Sequence, residues 1–239
     1  MDAGRPTQFV SWLDGIAAVT FDVGGTLIQP WPSVGQIYAD IAAAHGYPNL
    51  SPQILRQRFV EAWRNFKDFN HTSEHWSALV DATFEGITEL PPSQTFFGEL
   101  YEHFAKPDAW RIFDDAFPAL EALAERGMKL ALISNWDTRL RDLLARLDLL
   151  KFFDPVLISC EIGTRKPSAA IFHSASEALR VAPSAILHVG DSPGNDVAGA
   201  RGAGFKAVLL QRQAKTPGVD HISLLTQLCA ASLGSESAA

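Results

Sequence analysis

The chain reads as an α/β protein, a doubly wound parallel sheet with a helical unit inserted after its first strand. Two observations predict this. Short apolar segments recur at 16–21, 129–134, 155–160, 185–189 and 206–210, apolar on both faces as strands of a buried parallel sheet are. Amphipathic stretches of helical period separate most of them, and such alternation belongs to a sheet covered by helices on both sides.

The elements follow in order. The first strand, 16–21, runs into Asp22-Val23-Gly24-Gly25-Thr26. From about 31 to 107 no strand pattern stands out; helical stretches are expected at 34–44, 52–68, 76–84 and 93–104, separated by turn signals such as Gly46-Tyr47-Pro48, His71-Thr72-Ser73 and Pro91-Pro92. A helix over 116–126 carries Leu120, Leu123 and Ala124 on one face and stops at Gly127. The strand at 129–134 is followed by a helix over 138–149 that repeats leucine at 140, 143, 144 and 147. A further helix spans 168–179, just after Pro167. The predicted division is a core of 1–30 and 108–229, a cap of 31–107, and a small, polar tail at 230–239 expected to be disordered.

Composition narrows the function. With 239 residues and 47% hydrophobic residues the chain can bury a large core, and its net charge of −7 includes no basic run, which argues against nucleic-acid or anionic-membrane partners. No apolar segment approaches the ~18 residues that suggest a membrane span, and the first residues lack a signal-like stretch. Cys160 and Cys229 have neither C-x-x-C spacing nor an adjacent His pattern, and are expected to be buried free thiols. A cytoplasmic protein, monomer or homodimer, is the expectation.

In an open parallel sheet, ligands bind beyond the carboxyl ends of the strands. Four polar sets fall at such places: Asp22-Val23-Gly24-Gly25-Thr26; Ser134-Asn135-Trp136-Asp137; Lys166 before Pro167; and Gly190-Asp191-Ser192-Pro193-Gly194-Asn195-Asp196. Each has a plain alternative. Asp22 and Asp191 suit turns, Ser134 and Asn135 suit helix caps, and Lys166 suits a solvated helix start.

Taken together and in this order, the four sets resemble the motifs of the haloacid dehalogenase-like superfamily, and 31–107 resembles its helical cap. The resemblance implies a hydrolase with Asp22 as nucleophile, Ser134 and Asn135 holding phosphoryl oxygens, and Lys166 beside the reacting group. It also implies Mg²⁺ held by Asp22, the carbonyl of Gly24 and Asp191, with Asp196 acting through water or orienting the ligands. Trp136 and Asp137, next in sequence, are candidate substrate contacts.

One departure matters. Phosphatases of this family carry a second Asp two residues after the nucleophile, where this chain has Gly24. A positioned acid/base contributes about 10²–10⁴ in rate, and glycine transfers no proton. Three readings follow. The first is an Mg²⁺-dependent phosphatase acting on a small phosphorylated substrate with a good leaving group, or one aided by a cap group such as His45, His71, Glu74 or His75. The second is a phospho-ligand binding protein with weak turnover. The third is a metal-independent 2-haloacid dehalogenase, whose halide leaves without a proton; against it, Asp191 and Asp196 would raise the Asp22 pKa unless a cation offsets them. The cap aromatics Trp31, Tyr38, Trp63, Phe66, Phe69 and Trp76 suit either a substrate pocket or a helix–helix core.

Overall fold

The computed structural model describes residues 12–214 and 220–229, so the tail expected at 230–239 lies outside it. Strand β1 (Ala18–Phe21) is wholly buried and sits in the middle of a six-stranded sheet. Strand β2 (Ile28–Pro30) leaves the sheet and leads into helices α1 (Val34–Ala44), α2 (Pro52–Asn65), α3 (Ser73–Phe84) and α4 (Phe97–His103). The chain returns through β3 (Trp110–Ile112), which pairs antiparallel with β2. Then come α5 (Ala116–Glu125), β4 (Lys129–Ser134), α6 (Arg139–Arg146), β5 (Val156–Ile158), α7 (Ser159–Ile162) and α8 (Ala169–Leu179). Strand β6 (Ile186–Gly190), a π-helical turn at Pro193–Ala198, α9 (Gly199–Gly202), β7 (Lys206–Leu210) and the short β8 (His221–Ile222) complete it.

The sheet order is β5-β4-β1-β6-β7-β8 and every pairing in it is parallel. Alternation along the strands builds two cores. Val19, Phe21, Leu130, Leu132, Leu187 and Val189 face the layer of α5 and α6, where Leu120, Leu123, Leu140 and Leu144 meet them. Ala18, Ala131, Ile133 and Ile186 face α8 and α9, where Ile171, Phe172, Ala175 and Ala200 pack. Because β1 lies between β4 and β6, the carboxyl ends of these three strands open side by side, and the residues that follow them meet.

The helices between β2 and β3 enclose a separate apolar cluster, with Leu55, Phe84, Phe96 and Leu100 almost fully buried. Serine and threonine caps start three of them: Ser33 accepts from Gln36 N at 3.1 Å, Ser51 from Ile54 N at 3.4 Å and Thr72 from His75 N at 3.4 Å. The Ser33 and Ser51 starts fall where the sequence puts them, whereas the third helix begins at Ser73 rather than 76 because Thr72 caps it. The helix expected over 52–68 stops at Asn65, and the connection to α3 places Asp68 and His71 in the left-handed region (φ 56° and 65°). The stretch 93–104 divides into a 3₁₀ turn (Pro92–Gln94) and α4.

Other boundaries shift for local reasons. The helix expected over 138–149 ends at Arg146, with Asp148 left-handed (φ 59°) shortly beyond. The apolar segment 155–160 pairs only as far as Ile158; Ser159 and Cys160 open α7. This corrects the expectation of two buried thiols: both cysteines are free, but Cys160 is exposed and Cys229 only half-buried. Among the described residues no helix is long and apolar enough to cross a membrane.

Phe172 locks the α8 layer to the sheet, meeting the His188 ring edge-on at 5.2 Å and the Phe205 ring at 5.6 Å. Phe172→Ala is expected to lower unfolding stability by about 3–5 kcal/mol, read from urea denaturation midpoints at unchanged slope.

Candidate active site

Beyond the carboxyl ends of β1, β4 and β6, a lysine and three carboxylates form one cluster. Lys166 Nζ donates to Asp22 Oδ1 and to Asp196 Oδ1, both at 2.6 Å. Lys166 is 3% exposed and Asp196 1%. Burial alone would strip the lysine of its proton, but the two carboxylates outweigh it and raise its pKa. For Asp196 the balance also favours charge. Its burial opposes ionisation, yet the Lys166 ammonium and the His188 ring hold its carboxyl below the usual range. Asp22 goes the other way: burial, with repulsion from Asp196, raises its pKa despite the ion pair with Lys166.

Local turns set this geometry. Asp196 folds back over the end of β6, accepting from Ser192 N at 2.9 Å, while Ser192 Oγ accepts from Asn195 N at 3.2 Å. The close return requires Gly190, since a Cβ there would lie 2.3 Å from Asp196 Cγ. In the loop after β1, Gly25 is left-handed (φ 77°), and a Cβ on it would lie 2.2 Å from Asp191 Oδ2. Asn135 anchors the lysine from the end of β4: its amide donates to the Lys166 carbonyl at 2.9 Å and its Oδ1 accepts from Lys166 N at 2.8 Å. Asn135 is therefore not a helix cap; α6 starts at Arg139, and its N-cap residue Thr138 makes no side-chain cap bond.

Asp22, Asp191 and Asp196 each offer a carboxylate oxygen, and these oxygens lie within 4.8 Å of one another. Partial burial and the charges of Asp22 and Asp196 push the Asp191 carboxyl up to about 7. Three carboxylates facing one ammonium leave negative charge over. An all-oxygen donor set of this kind fits a small hard dication such as Mg²⁺.

A cavity of about 520 Å³ extends from this cluster up to the helices between β2 and β3. Asp22, Gly24, Ser134, Asn135, Trp136, Lys166, Asp191 and Asp196 all line it. Asp137 does not: its carboxylate is held by Arg139 (Nε–Oδ1 2.9 Å, Nη2–Oδ2 2.7 Å). Arg139 lies over the Tyr101 ring at 3.4 Å and donates to the Tyr101 carbonyl at 2.5 Å, so the pair joins α6 to α4.

Of the acid/base groups considered to stand in for the missing Asp, only His71 lines the cavity. It is 8% exposed, its Nδ1 has no hydrogen-bond partner, and burial lowers its pKa to about 4, so it is neutral at pH 7. His45 pairs with Glu99 at 2.8 Å near the surface, and His75 Nδ1 accepts from Asn70 N at 3.1 Å. Of the cap aromatics named from sequence, Tyr38, Trp63 and Trp76 line the cavity, whereas Trp31, Phe66 and Phe69 do not.

Sequence reading missed three supports of the site. His188 lies beneath the cluster, Nε2 at 3.2 Å from Asp196 Oδ1 and Nδ1 at 2.8 Å from Thr20 Oγ1. It is one of several apolar-run positions and carries no local signal. Arg212 donates to the carbonyls of Gly25 (3.3 Å) and Thr26 (2.5 Å) and forms an ion pair with Asp115 at 3.0 Å, which fixes the loop carrying Asp22. Arg165 donates to the Phe69 carbonyl and lies 3.3 Å from Asp68 Oδ1, which ties the α2–α3 connection to the loop that carries Lys166.

Comparison with known proteins gives the family and the fold. The family model of haloacid dehalogenase-like hydrolases matches residues 16–204. The chain is 34% identical over 203 residues to the haloacid dehalogenase-like hydrolase domain-containing protein 3 of Bos taurus, covering 80% of each. The crystal structure of a HAD phosphatase from Thermococcus onnurineus superimposes with a TM-score of 0.65 at 27% identity, over 89% of this chain and 96% of that one. An L-2-haloacid dehalogenase from Xanthobacter autotrophicus, with chloropropionic acid covalently bound, superimposes at 0.61 and 28% identity, over 84% of this chain and 79% of that one. The four motifs, the shared fold and the matched length make this chain a member of the haloacid dehalogenase-like hydrolase family.

Proposed function

We propose that the chain is an Mg²⁺-dependent phosphohydrolase that uses Asp22 as nucleophile on a small phosphorylated substrate with a good leaving group. The observation that carries this reading is the cluster of Asp22, Asp191 and Asp196 around one buried lysine, which leaves negative charge for a dication to offset. Mg²⁺ held by Asp22, Asp191 and the Gly24 carbonyl would neutralise charge on the phosphoryl oxygens.

The side chains divide the work. Asp22 attacks phosphorus and becomes an acyl phosphate, which water later cleaves. Lys166 opposes the rise that burial gives the Asp22 pKa and faces the transferring group. Ser134 and Asn135, at the end of β4, bind phosphoryl oxygens, and Asn135 also orients Lys166. Asp196 holds the ammonium in place, with His188 behind it. Trp136 meets the leaving group.

At position 24 no acid is available, and the neighbour is close: a Cβ on Gly24 would lie 3.3 Å from Trp136 Cζ3. With glycine at 24 and an indole beside it, this loop offers the leaving group no proton, so it departs unprotonated. Gly24 equally suits a halide leaving group, and the family includes dehalogenases of the same fold. The surplus of carboxylates favours phosphoryl chemistry over that second reading.

The direct test is phosphate release from acetyl phosphate with and without Mg²⁺, with Asp22→Asn alongside. Release that needs Mg²⁺ and vanishes in the variant is expected. Equal release in chelator, or halide release from 2-chloropropionate in chelator, overturns the reading. A second expectation concerns pH. Asp191 must lose its proton to ligate, and its carboxyl titrates at about 7. Mg²⁺ binding, followed by calorimetry, should therefore weaken roughly tenfold per pH unit below that value and level off above it. A third concerns position 24. Gly24→Asp alone should gain little on an alkyl phosphate because Trp136 crowds the carboxylate. Gly24→Asp with Trp136→Ala should gain about 10²-fold in kcat, measured as phosphate release.

A further inference from the structure

The cavity above Asp22 is walled by rings that the fold leaves unfinished. In the cluster that closes the helical unit, Phe84 and Phe96 are each 1% exposed, so packing among helices consumes them completely. Most rings facing the cavity differ: Tyr38 is 2% exposed, but Phe59, Trp76, Trp110 and Trp136 are only half-buried, and Trp63 is 40% exposed. Large apolar faces left open inside a concavity, and adjoining charged groups at its floor, mark a place for an apolar occupant with a charged end.

The rings are held as a wall. Trp63 contacts Phe59 at 5.9 Å and Trp76 at 5.5 Å, all as tilted pairs. On the other side Trp110 and Trp136 pair at 5.1 Å, and Trp136 stands against Gly24, beside the nucleophile. A group leaving from phosphorus at Asp22 therefore has a pair of indoles beside it, one of them against Gly24, two residues from the nucleophile. The volume is ample, since an apolar cavity of about 150 Å³ already admits benzene and this one measures about 520 Å³.

Leaving-group chemistry points the same way. With Gly24 in place of an acid, the departing oxygen takes the electron pair of the breaking P–O bond and keeps it as an anion. A phenol, with a pKa of about 10, tolerates this far better than an alkanol, whose pKa is near the 15.7 of water. Resting on the phosphohydrolase reading, we propose that the cavity takes an aryl phosphate, its ring seated between the Phe59–Trp63–Trp76 wall and the Trp110–Trp136 pair. Asp22 Oδ forms the new bond to phosphorus, the aryloxide leaves and collects a proton from solvent. Water then adds to phosphorus, the Asp22 carboxylate is released, and inorganic phosphate departs.

The test uses the whole protein with Mg²⁺ and two pairs of probes. Acetyl phosphate has the better leaving group, and phenyl phosphate has the ring; phenylphosphonate and methylphosphonate bind without reacting. Binding is read from tryptophan fluorescence, to which the cavity rings contribute. The expected result is a KM for phenyl phosphate about tenfold or more below that for acetyl phosphate, and a Kd for phenylphosphonate about tenfold or more below that for methylphosphonate. Trp76→Leu should reduce the phosphonate ratio to about threefold or less, and the wild-type comparison stands even if that variant does not fold. Cleavage of acetyl phosphate with equal binding of the two phosphonates overturns the ring site and leaves the phosphohydrolase intact. No cleavage of either phosphate, with the phosphonates still tenfold apart, upholds the ring site and removes the phosphohydrolase. No cleavage and equal binding removes both.

Discussion

Everything at the candidate site depends on one buried ammonium shared between two carboxylates. Lys166, Asp22 and Asp196 are each at least 92% buried, and the two Nζ–Oδ distances are both 2.6 Å. Desolvating such charges is costly, and a pair of this kind is retained only where geometry is excellent and further hydrogen bonds satisfy the remaining atoms. The surrounding structure supplies them. Ser192 N and His188 serve Asp196, Asn135 fixes the Lys166 backbone, and Thr26 Oγ1 donates to Asp22 Oδ2 at 3.4 Å. Removing any of these leaves a charge in a poorly solvating interior, so the four motifs are coupled through energy as well as position.

The same lysine loop also joins the two parts of the molecule. Arg165, one residue before Lys166, is bonded to the α2–α3 connection, while Arg139, which opens α6, is bonded to α4. The contacts that close the helices over the cavity thus start from segments that also carry site residues. Arg139 is additionally held by Asp137, whose side chain serves the contact between α6 and α4 rather than the cavity.

At Gly24 the absence of a carboxylate is matched by a neighbour. Trp136 lies 3.3 Å from where a Cβ at 24 would stand, and Trp110 packs against it from β3. The substitution is therefore part of a local arrangement of apolar rings, in which the floor of the cavity is ionic and the wall next to it is aromatic. That contrast suits the proposed occupant, with a charged end below and an apolar body above.

The sequence by itself determined five of the six strands of the sheet, most helices and the four polar sets; the short β8 was not marked by any run. Strands buried on both faces are continuous apolar runs, and helices repeat apolar residues at their own period, so both patterns are local. β4 and β7 run from 129 to 134 and from 206 to 210, as the runs do. Asp22 and Asp191 were legible because each directly follows a strand, and Lys166 and Asp196 because they complete a recognisable order of polar sets. Tertiary structure decided the rest. The β2–β3 ribbon has only three residues per strand and includes Pro30, so no local pattern marks it. His188, Arg212 and Arg165 act across 8, 97 and 97 residues, on Asp196, Asp115 and Asp68 respectively, and a role set by such a partner leaves no trace in the neighbouring residues. Which rings face the cavity was likewise decided by how helices cross: Trp63 and Phe66 belong to the same stretch, yet only Trp63 reaches it. Local periodicity specifies a helix and its apolar side, whereas the void that a side chain borders is specified by the partner that fails to fill it.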